Sequence, residues 1–265
     1  MFAVLAQLIA NRESPLSCYA GAVKTRIDRL LVERGFAPSR ERAQALILAG
    51  KVLANQQKVE KPGTTVDADA VIRLLGEDMR YVSRGGLKLE RALDHWHIDV
   101  RGRICMDIGA STGGFTDCLL QHDAARVIAV DTGYGQIDLR FRTDPRVRLL
   151  EKTNARYLRR EDVAEAVEFV AIDVSFISAT LVLPAVIAAA GDTLDGIVVL
   201  VKPQFEVGRE RVGKGGIVRD PVAQQAAADT VRKALADLGW RIRGVIESPI
   251  LGAQGNREFL LYAER

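Results

Sequence analysis

The sequence predicts an α/β protein: a mostly parallel sheet with helices on both faces and an antiparallel edge, preceded by a small α+β module. Three observations lead there. From Ile104 onward, apolar β-branched runs of strand length alternate with helical stretches, and that alternation implies right-handed crossovers in a parallel sheet. A glycine-rich turn follows the first of these strands. A basic segment with its own helical period comes before them all. The 265 residues, 48% hydrophobic and 27% charged, suit about one or two domains with ample material for a core. Disordered, collagen-like and coiled-coil chains are excluded on composition. The longest apolar runs, Met1–Ala10 and Ala179–Ala190, fall short of the roughly 20 residues of a membrane-spanning helix.

Residues 1–23 read as an extension. Its apolar start carries no preceding Lys or Arg and runs straight into Arg12-Glu13, which argues against a secretory signal. The expectation is a dispensable segment or an overlong start, with Val23-Lys24-Thr25 near the true beginning. Cys18, Cys105 and Cys118 form no CxxC pair, and His95, His97 and His122 are scattered. Structural zinc and a disulfide framework are therefore not expected, and a reducing cytoplasm is.

The first domain is expected over 24–76. Ile27, Leu30, Leu31 and Phe36 fall on one helical face, and Gly35 stands where that helix would stop. Ser39 is a suitable N-cap for a second helix with Ala43, Leu46 and Ile47 inward, ended by Gly50. Lys51–Leu53 and Val66–Leu75 read as strands around the polar turn Asn55–Gly63. Lys24–Lys58 holds eight basic residues against three acidic ones, while the whole chain nets +3. A basic module on a near-neutral body suits a polyanion. Residues 77–86 are expected as a linker and 87–265 as the second domain.

In that second domain, strands are expected at Ile104–Ile108, Val127–Asp131, Val147–Leu150, Val170–Asp173 and Ile197–Val201. Helices are expected at Phe115–His122, Gln136–Arg142, Arg160–Ala166, Ser178–Ala190 and Pro221–Leu238. Trp240–Glu247 and Glu258–Ala263 complete the pattern as an edge hairpin.

Asp107-Ile-Gly-Ala-Ser-Thr-Gly-Gly-Phe115 leaves the first of these strands and opens a helix, so its glycines let the backbone approach a ligand at the carboxyl end of the sheet. Asp131 ends the next strand, where a carboxylate can accept both ribose hydroxyls. The loop reads Gly-x-Ser-x-Gly-Gly, lacking both the dinucleotide fingerprint and a Gly-Lys-Ser/Thr phosphate loop. An adenosyl ligand without phosphates, S-adenosylmethionine, fits better. Asp173 and Lys202 close the fourth and fifth strands beside the same crevice. A strand-end lysine that is buried needs a partner.

The glycine loop, Asp131, Asp173-Val-Ser-Phe-Ile-Ser, Val201-Lys-Pro-Gln-Phe-Glu206 and Gly255-Asn-Arg-Glu258 resemble the FtsJ-type 2′-O-ribose methyltransferases, which have a Rossmann-like class I methyltransferase sheet. The resemblance is closest to the TlyA (hemolysin A) family of rRNA cytidine methyltransferases. Arg26-Ile27-Asp28, Ser39-Arg40, Ala43, Leu46-Ile47 and Gly50-Lys51-Val52 resemble the RNA-binding domain first seen in small-subunit ribosomal protein S-four. Ala54-Asn55-Gln56 departs from the usual Val-Asn-Gly of that domain.

The resemblance implies a catalytic tetrad of Lys88, Asp173, Lys202 and Glu258, with Lys202 as the candidate base and no metal required. Desolvation and Lys88 would lower the affinity of Lys202 for its proton, and Asp173 and Glu258 would oppose this, so the net sign stays open. The resemblance also assigns Asp107, Gly109, Ser111, Gly113 and Asp131 to the methionine and ribose side of the cofactor, and Asn154 to its adenine. The stretch Arg80–Gly86 corresponds to a family linker between RNA docking and cofactor binding. Arg26, Arg40, Arg42 and Lys51 are candidate phosphate contacts, joined by Arg209, Arg211, Lys214 and Arg219 in a glycine-rich loop.

The implied partner is rRNA within a ribosome or subunit, bound by a monomer. The short ending after the last strand resembles the family form acting on the large subunit. A non-catalytic assembly factor and a membrane-active hemolysin are the alternative readings. The tetrad argues against the first, and the lack of a spanning or long basic amphipathic segment against the second. A pseudouridine synthase can carry the same small module but needs no adenosyl donor.

Overall fold

The computed structural model describes residues 24–75, 80–252 and 255–265. The expectations for residues 1–23 lie outside that range. The chain divides into two units, Met1–Asp78 and Met79–Arg265.

The first unit begins with β1 (Lys24–Arg26), α1 (Ile27–Glu33) and α2 (Arg40–Leu48), and continues through β2 (Val52–Ala54), β3 (Gln57–Lys58), β4 (Thr65–Asp67) and β5 (Ile72–Leu74). Gly35 takes φ +73° just past α1, and Ser39 Oγ accepts from Arg42 N at the start of α2. Ile27, Leu31, Ala43, Ile47 and Val52 are fully buried together. The single strand expected over Val66–Leu75 is two. β4 pairs with β1, whereas β5 pairs with β2. The backbone turns between them, Ala70 N donating to Asp67 O at 2.9 Å, because Asp-Ala-Asp-Ala favours a turn over a continuous ladder. β1 was not legible as a strand.

The second unit contains α3 (Gly85–Trp96), β6 (Ile104–Ile108), α4 (Gly114–Gln121), β7 (Arg126–Val130), α5 (Leu139–Thr143) and β8 (Val147–Leu150). There follow α6 (Arg160–Val163), β9 (Phe169–Ile172), α7 (Ala179–Ala190), β10 (Gly196–Val201), α8 (Pro203–Glu206), α9 (Pro221–Asp237), β11 (Arg241–Glu247) and β12 (Phe259–Glu264). The sheet order is β11-β12-β10-β9-β6-β7-β8. All neighbours from β10 to β8 are parallel, while β12 runs antiparallel between β10 and the edge strand β11. The predicted edge hairpin is there, its second strand inserted inside the first.

Successive strand residues face opposite sides of a sheet. Met106, Ile108, Ile128, Val170 and Val199 pack with α7 and α9, and Cys105, Val127, Ala129, Phe169 and Val198 pack with α3 and α4. Both faces are buried, which is why these strands read as continuous apolar runs. Part of the expected linker folds with this unit: Tyr81 is 1% exposed and Val82 N donates to Asp117 Oδ2 at 2.7 Å. No helix among the described residues is long and apolar enough to cross a membrane.

The departure at Ala54-Asn55-Gln56 has a physical cost. Asn55 and Gln56 form the two-residue turn from β2 to β3 with φ +48° and +67°. Asn55 suits that region and its Oδ1 also accepts from Val71 N at 2.8 Å, but Gln56 bears a Cβ penalty of about 1–2 kcal/mol. Gln56→Gly is expected to stabilise the first unit by roughly 0.5–1 kcal/mol after the extra chain entropy of glycine is subtracted. Hydrogen exchange at the buried amides of α1 and α2 measures it, and faster exchange in the variant would contradict the assignment of strain.

Candidate active site

The carboxyl ends of β6, β7, β9 and β10 converge on the loop that opens α4. Gly109 has φ +87°, and a Cβ there would overlap the carbonyl oxygen of Asp173. Only glycine lets the β6 and β9 ends approach this closely. Ser111 also lies at positive φ, +50°. Gly113, at φ +95°, caps α4. Its missing side chain makes room for the Phe141 ring, and it does not line the crevice. Gly114, which sequence reasoning passed over, does.

Asp107 is fully buried. Its Oδ2 accepts from Thr116 N at 2.9 Å and from Thr116 Oγ1 at 2.7 Å, while Oδ1 is buried without a partner. Burial pushes this carboxyl up to about 7; the Thr116 hydrogen bonds oppose the shift, and Asp173 and Asp131 add to it. Asp131 receives Gly133 N on Oδ1 at 2.6 Å and Ser111 N on Oδ2 at 2.8 Å. Each oxygen keeps a lone pair for a further donor. Asn154 Oδ1 accepts from Arg156 N at 3.0 Å, so it shapes a turn as well as lining the crevice.

Two cavities meet at this loop. One, of about 220 Å³, is lined by Ser83, Arg84, Lys88, Asp107, Gly114 and Asp173 among others. The other, of about 380 Å³, runs past Asp131, Gly133, Asn154 and Phe176. Gly109, Ser111 and Asp173 border both. The combined space suits a small-molecule ligand. The residues fit an adenosyl amino acid: an orphaned buried carboxylate for a cation, a glycine cradle, and an aspartate with free lone pairs for a diol.

The four residues expected as a tetrad form two ion pairs. Lys88, on the buried face of α3, has Nζ 2.5 Å from Glu258 Oε2, with side chains 11% and 3% exposed. Lys202 Nζ stands 2.6 Å from Asp173 Oδ1, with side chains 11% and 21% exposed, and donates to Ser175 Oγ at 2.7 Å. Lys88 and Asp173 line the same cavity. Buried charges unpaired would each cost several kcal/mol, so the pairs hold these lysines in place.

Sequence reasoning missed the scaffold of these pairs. Glu206, held above the usual carboxylate range by burial, accepts from Ser178 Oγ at 2.5 Å and Ala179 N at 2.8 Å. It thereby stitches α8, just after Lys202, to the start of α7, just after Ser175. Asn256 is 1% exposed. It accepts from Val218 N at 2.9 Å and donates to Gly216 O at 2.8 Å, anchoring the glycine-rich loop two residues from Glu258. Phe176 was missed too. It is 92% exposed with φ +66°, its ring 5.4 Å from that of Phe205. Phe176 also borders the cavity that holds Asp131 and Asn154, and a non-glycine residue at positive φ beside a cavity is a candidate for a functional role.

Among the candidate RNA contacts, Arg209, Arg211, Lys214 and Arg219 are exposed, with no ion pair among the described residues. Arg42 and Lys51 are half-buried and likewise unpaired among them. Arg26 and Arg40 instead converge on Asp28, at 2.9 and 3.0 Å. Asp28 is fully buried, and the hydrogen bond from Arg26, first among several, holds its carboxyl well below the usual range.

Comparison with known proteins places the chain by its sequence and fold. The FtsJ-like methyltransferase family matches residues 81–265, and the S4 domain matches residues 25–72. The chain is 48% identical to a Bacillus subtilis protein provisionally named rRNA methyltransferase YqxC, over 90% of this chain and 85% of that one. It is 47% identical to the 16S/23S rRNA (cytidine-2′-O)-methyltransferase TlyA of Mycobacterium tuberculosis, over 91% and 90%. A solved structure from Streptococcus thermophilus, provisionally named a hemolysin, superimposes with a TM-score of 0.70 at 43% identity, covering 92% and 90%. With fold, crevice and sequence in agreement over the whole second unit, the chain belongs to the FtsJ-like methyltransferase family and carries an S4 domain ahead of its methyltransferase domain.

Proposed function

We propose that the chain methylates the ribose 2′-hydroxyl of a cytidine in ribosomal RNA, in the cytoplasm, with S-adenosylmethionine as donor and the large subunit as favoured substrate. The observation that carries this reading is the two lysine–carboxylate pairs, one buried and one partly buried, each with one member, Lys88 or Asp173, on the wall of the crevice. A pure RNA-binding assembly factor has no use for so costly an arrangement. The TlyA relative is named for both 16S and 23S rRNA, so large-subunit rRNA is among its substrates.

S-adenosylmethionine supplies an activated methyl group on a sulfonium that leaves as a neutral thioether. Asp107 would hold the methionine ammonium on its unpartnered Oδ1, Asp131 the ribose diol, and Asn154 would border the adenine. Gly109 and Ser111 supply the close backbone approach between them. Lys202 Nζ would take the proton of the ribose 2′-hydroxyl, the nucleophile toward the methyl group that the donor would supply. Lys88 and Glu258 hold the sugar in line for that displacement. Phe176 offers an aromatic face to the target base. Arg42 and Lys51, with the Asp28-held Arg26 and Arg40, and the Arg209–Arg219 loop contact phosphates.

Replacing Lys202 with Ala is expected to lower kcat by at least about 100-fold while RNA and donor affinities stay nearly unchanged. Single-turnover methyl transfer and binding titrations measure this, and substantial residual turnover would remove Lys202 as the base.

The Asp107 carboxyl gives a pH prediction of definite sign. Its folded pKa lies above its unfolded one, near 7 against 3.8, so the free protein loses stability as pH rises from about 4 to 7, on the order of 4 kcal/mol. A bound ammonium favours the carboxylate. Donor affinity should therefore rise between pH 6 and 8 with proton release into the buffer. Asp107→Asn should flatten both dependences and weaken binding. Calorimetry in two buffers of different ionisation enthalpy tests it, and a pH-independent wild-type affinity would contradict the role given to Asp107.

A further inference from the structure

Lys202 is the proposed base, and a base must present a lone pair. A neutral lysine amine has two N–H bonds and one lone pair, arranged tetrahedrally and free to rotate about Cε–Nζ. The hydrogen-bond partner of Nζ is Ser175 Oγ, at 2.7 Å. Asp173 Oδ1 stands 2.6 Å away as a charge partner without hydrogen-bond geometry. Ser175 therefore supplies the directional contact that sets how the amine is turned. The carboxylate alone would hold Nζ nearby but leave it free to turn about Cε–Nζ.

The setting of Ser175 supports a dedicated contact. Ser175 itself is exposed, so its hydroxyl would find solvent partners without Lys202. Its segment is nonetheless pinned on both sides: the Asp173 carbonyl packs against Gly109, and Ser178 and Ala179 bond to Glu206. Glu206 lies on the same turn as Lys202. The two turns are thus stitched on either side of the Lys202–Ser175 contact, which fixes their separation at hydrogen-bond length.

We propose that Ser175 is a positioning residue for methyl transfer, accepting one N–H of Lys202 so that Nζ is held beside Asp173 with its lone pair toward the ribose 2′-hydroxyl. The inference rests on the methyltransferase reading above. In the step it serves, the O2′–H bond breaks and its proton passes to Nζ. The O2′ electron pair forms the new O–C bond, and the C–S bond electrons remain on sulfur. The ammonium of Lys202, beside the Asp173 carboxylate and bonded to Ser175, returns the added proton to solvent as product leaves.

The test compares wild type, Ser175→Ala and Ser175→Thr by steady-state methyl transfer to unmodified rRNA, with donor affinity and thermal melting measured alongside. Ser175→Ala should lose about 10- to 100-fold in kcat, as a misaligned reacting group does, with KM values within about two-fold and melting unchanged. Ser175→Thr, which restores the hydroxyl, should recover most of the rate. A Ser175→Ala enzyme retaining more than about half of kcat, a loss confined to KM, or a loss that threonine does not repair would each overturn the proposal. NMR order of the Lys202 Cε–Nζ group, assigned with Lys202→Arg, supplies a readout independent of turnover. That order should fall in Ser175→Ala, and equal order in the two proteins overturns the contact. A wild-type protein without transfer would overturn the methyltransferase reading instead, leaving the NMR comparison to decide the contact by itself.

Discussion

The site depends on joining Lys88 to Glu258. One residue sits on the helix that opens the second unit, the other just ahead of its last strand, 170 residues apart. Neither charge tolerates burial alone, and together they fix the distance between α3 and the β12 end. That constraint shapes one wall of the crevice. The other wall comes from the sheet, because parallel strands β9 and β10 deliver Asp173 and Lys202 side by side at their carboxyl ends.

Much of this was legible because both sheet faces are covered. Ile104–Ile108 and Val147–Leu150 were bounded correctly, and the remaining strands of the second unit to within a residue or two. Asp173 and Lys202 could be picked out as charged residues ending apolar runs. Lys88 and Glu258 could not, since nothing local marks a pair so distant in sequence, and only the resemblance supplied them. The first unit was harder. Its strands span two or three residues, too short for alternation to register, so β4 and β5 merged into one and β1 disappeared.

The residues that reading the sequence missed share one physical character: their roles are hydrogen bonds across turns. Ser175, Glu206 and Asn256 bond to neighbours in other turns, and no periodicity records such contacts. The resemblance assigns Gly113 to the cofactor, and the structure adds a packing reason for glycine there, since a side chain would meet the Phe141 ring. Arg26 and Arg40 show the same limit from the charged side. Both are candidate phosphate contacts by sequence, and the structure adds that the buried Asp28 holds them. A guanidinium held this way keeps outward N–H groups and loses little freedom when a phosphate arrives, so the pairing refines their proposed role.

The central claim is that this crevice places a methyl group on a ribose oxygen of rRNA. The most direct measurement is incubation with methyl-labelled S-adenosylmethionine and unmodified large subunits, small subunits or naked rRNA, followed by nuclease digestion and mass spectrometry of the labelled nucleoside. The account predicts 2′-O-methylcytidine from large-subunit rRNA. Label on a nucleobase, or no transfer by a protein that binds both RNA and donor, would contradict it.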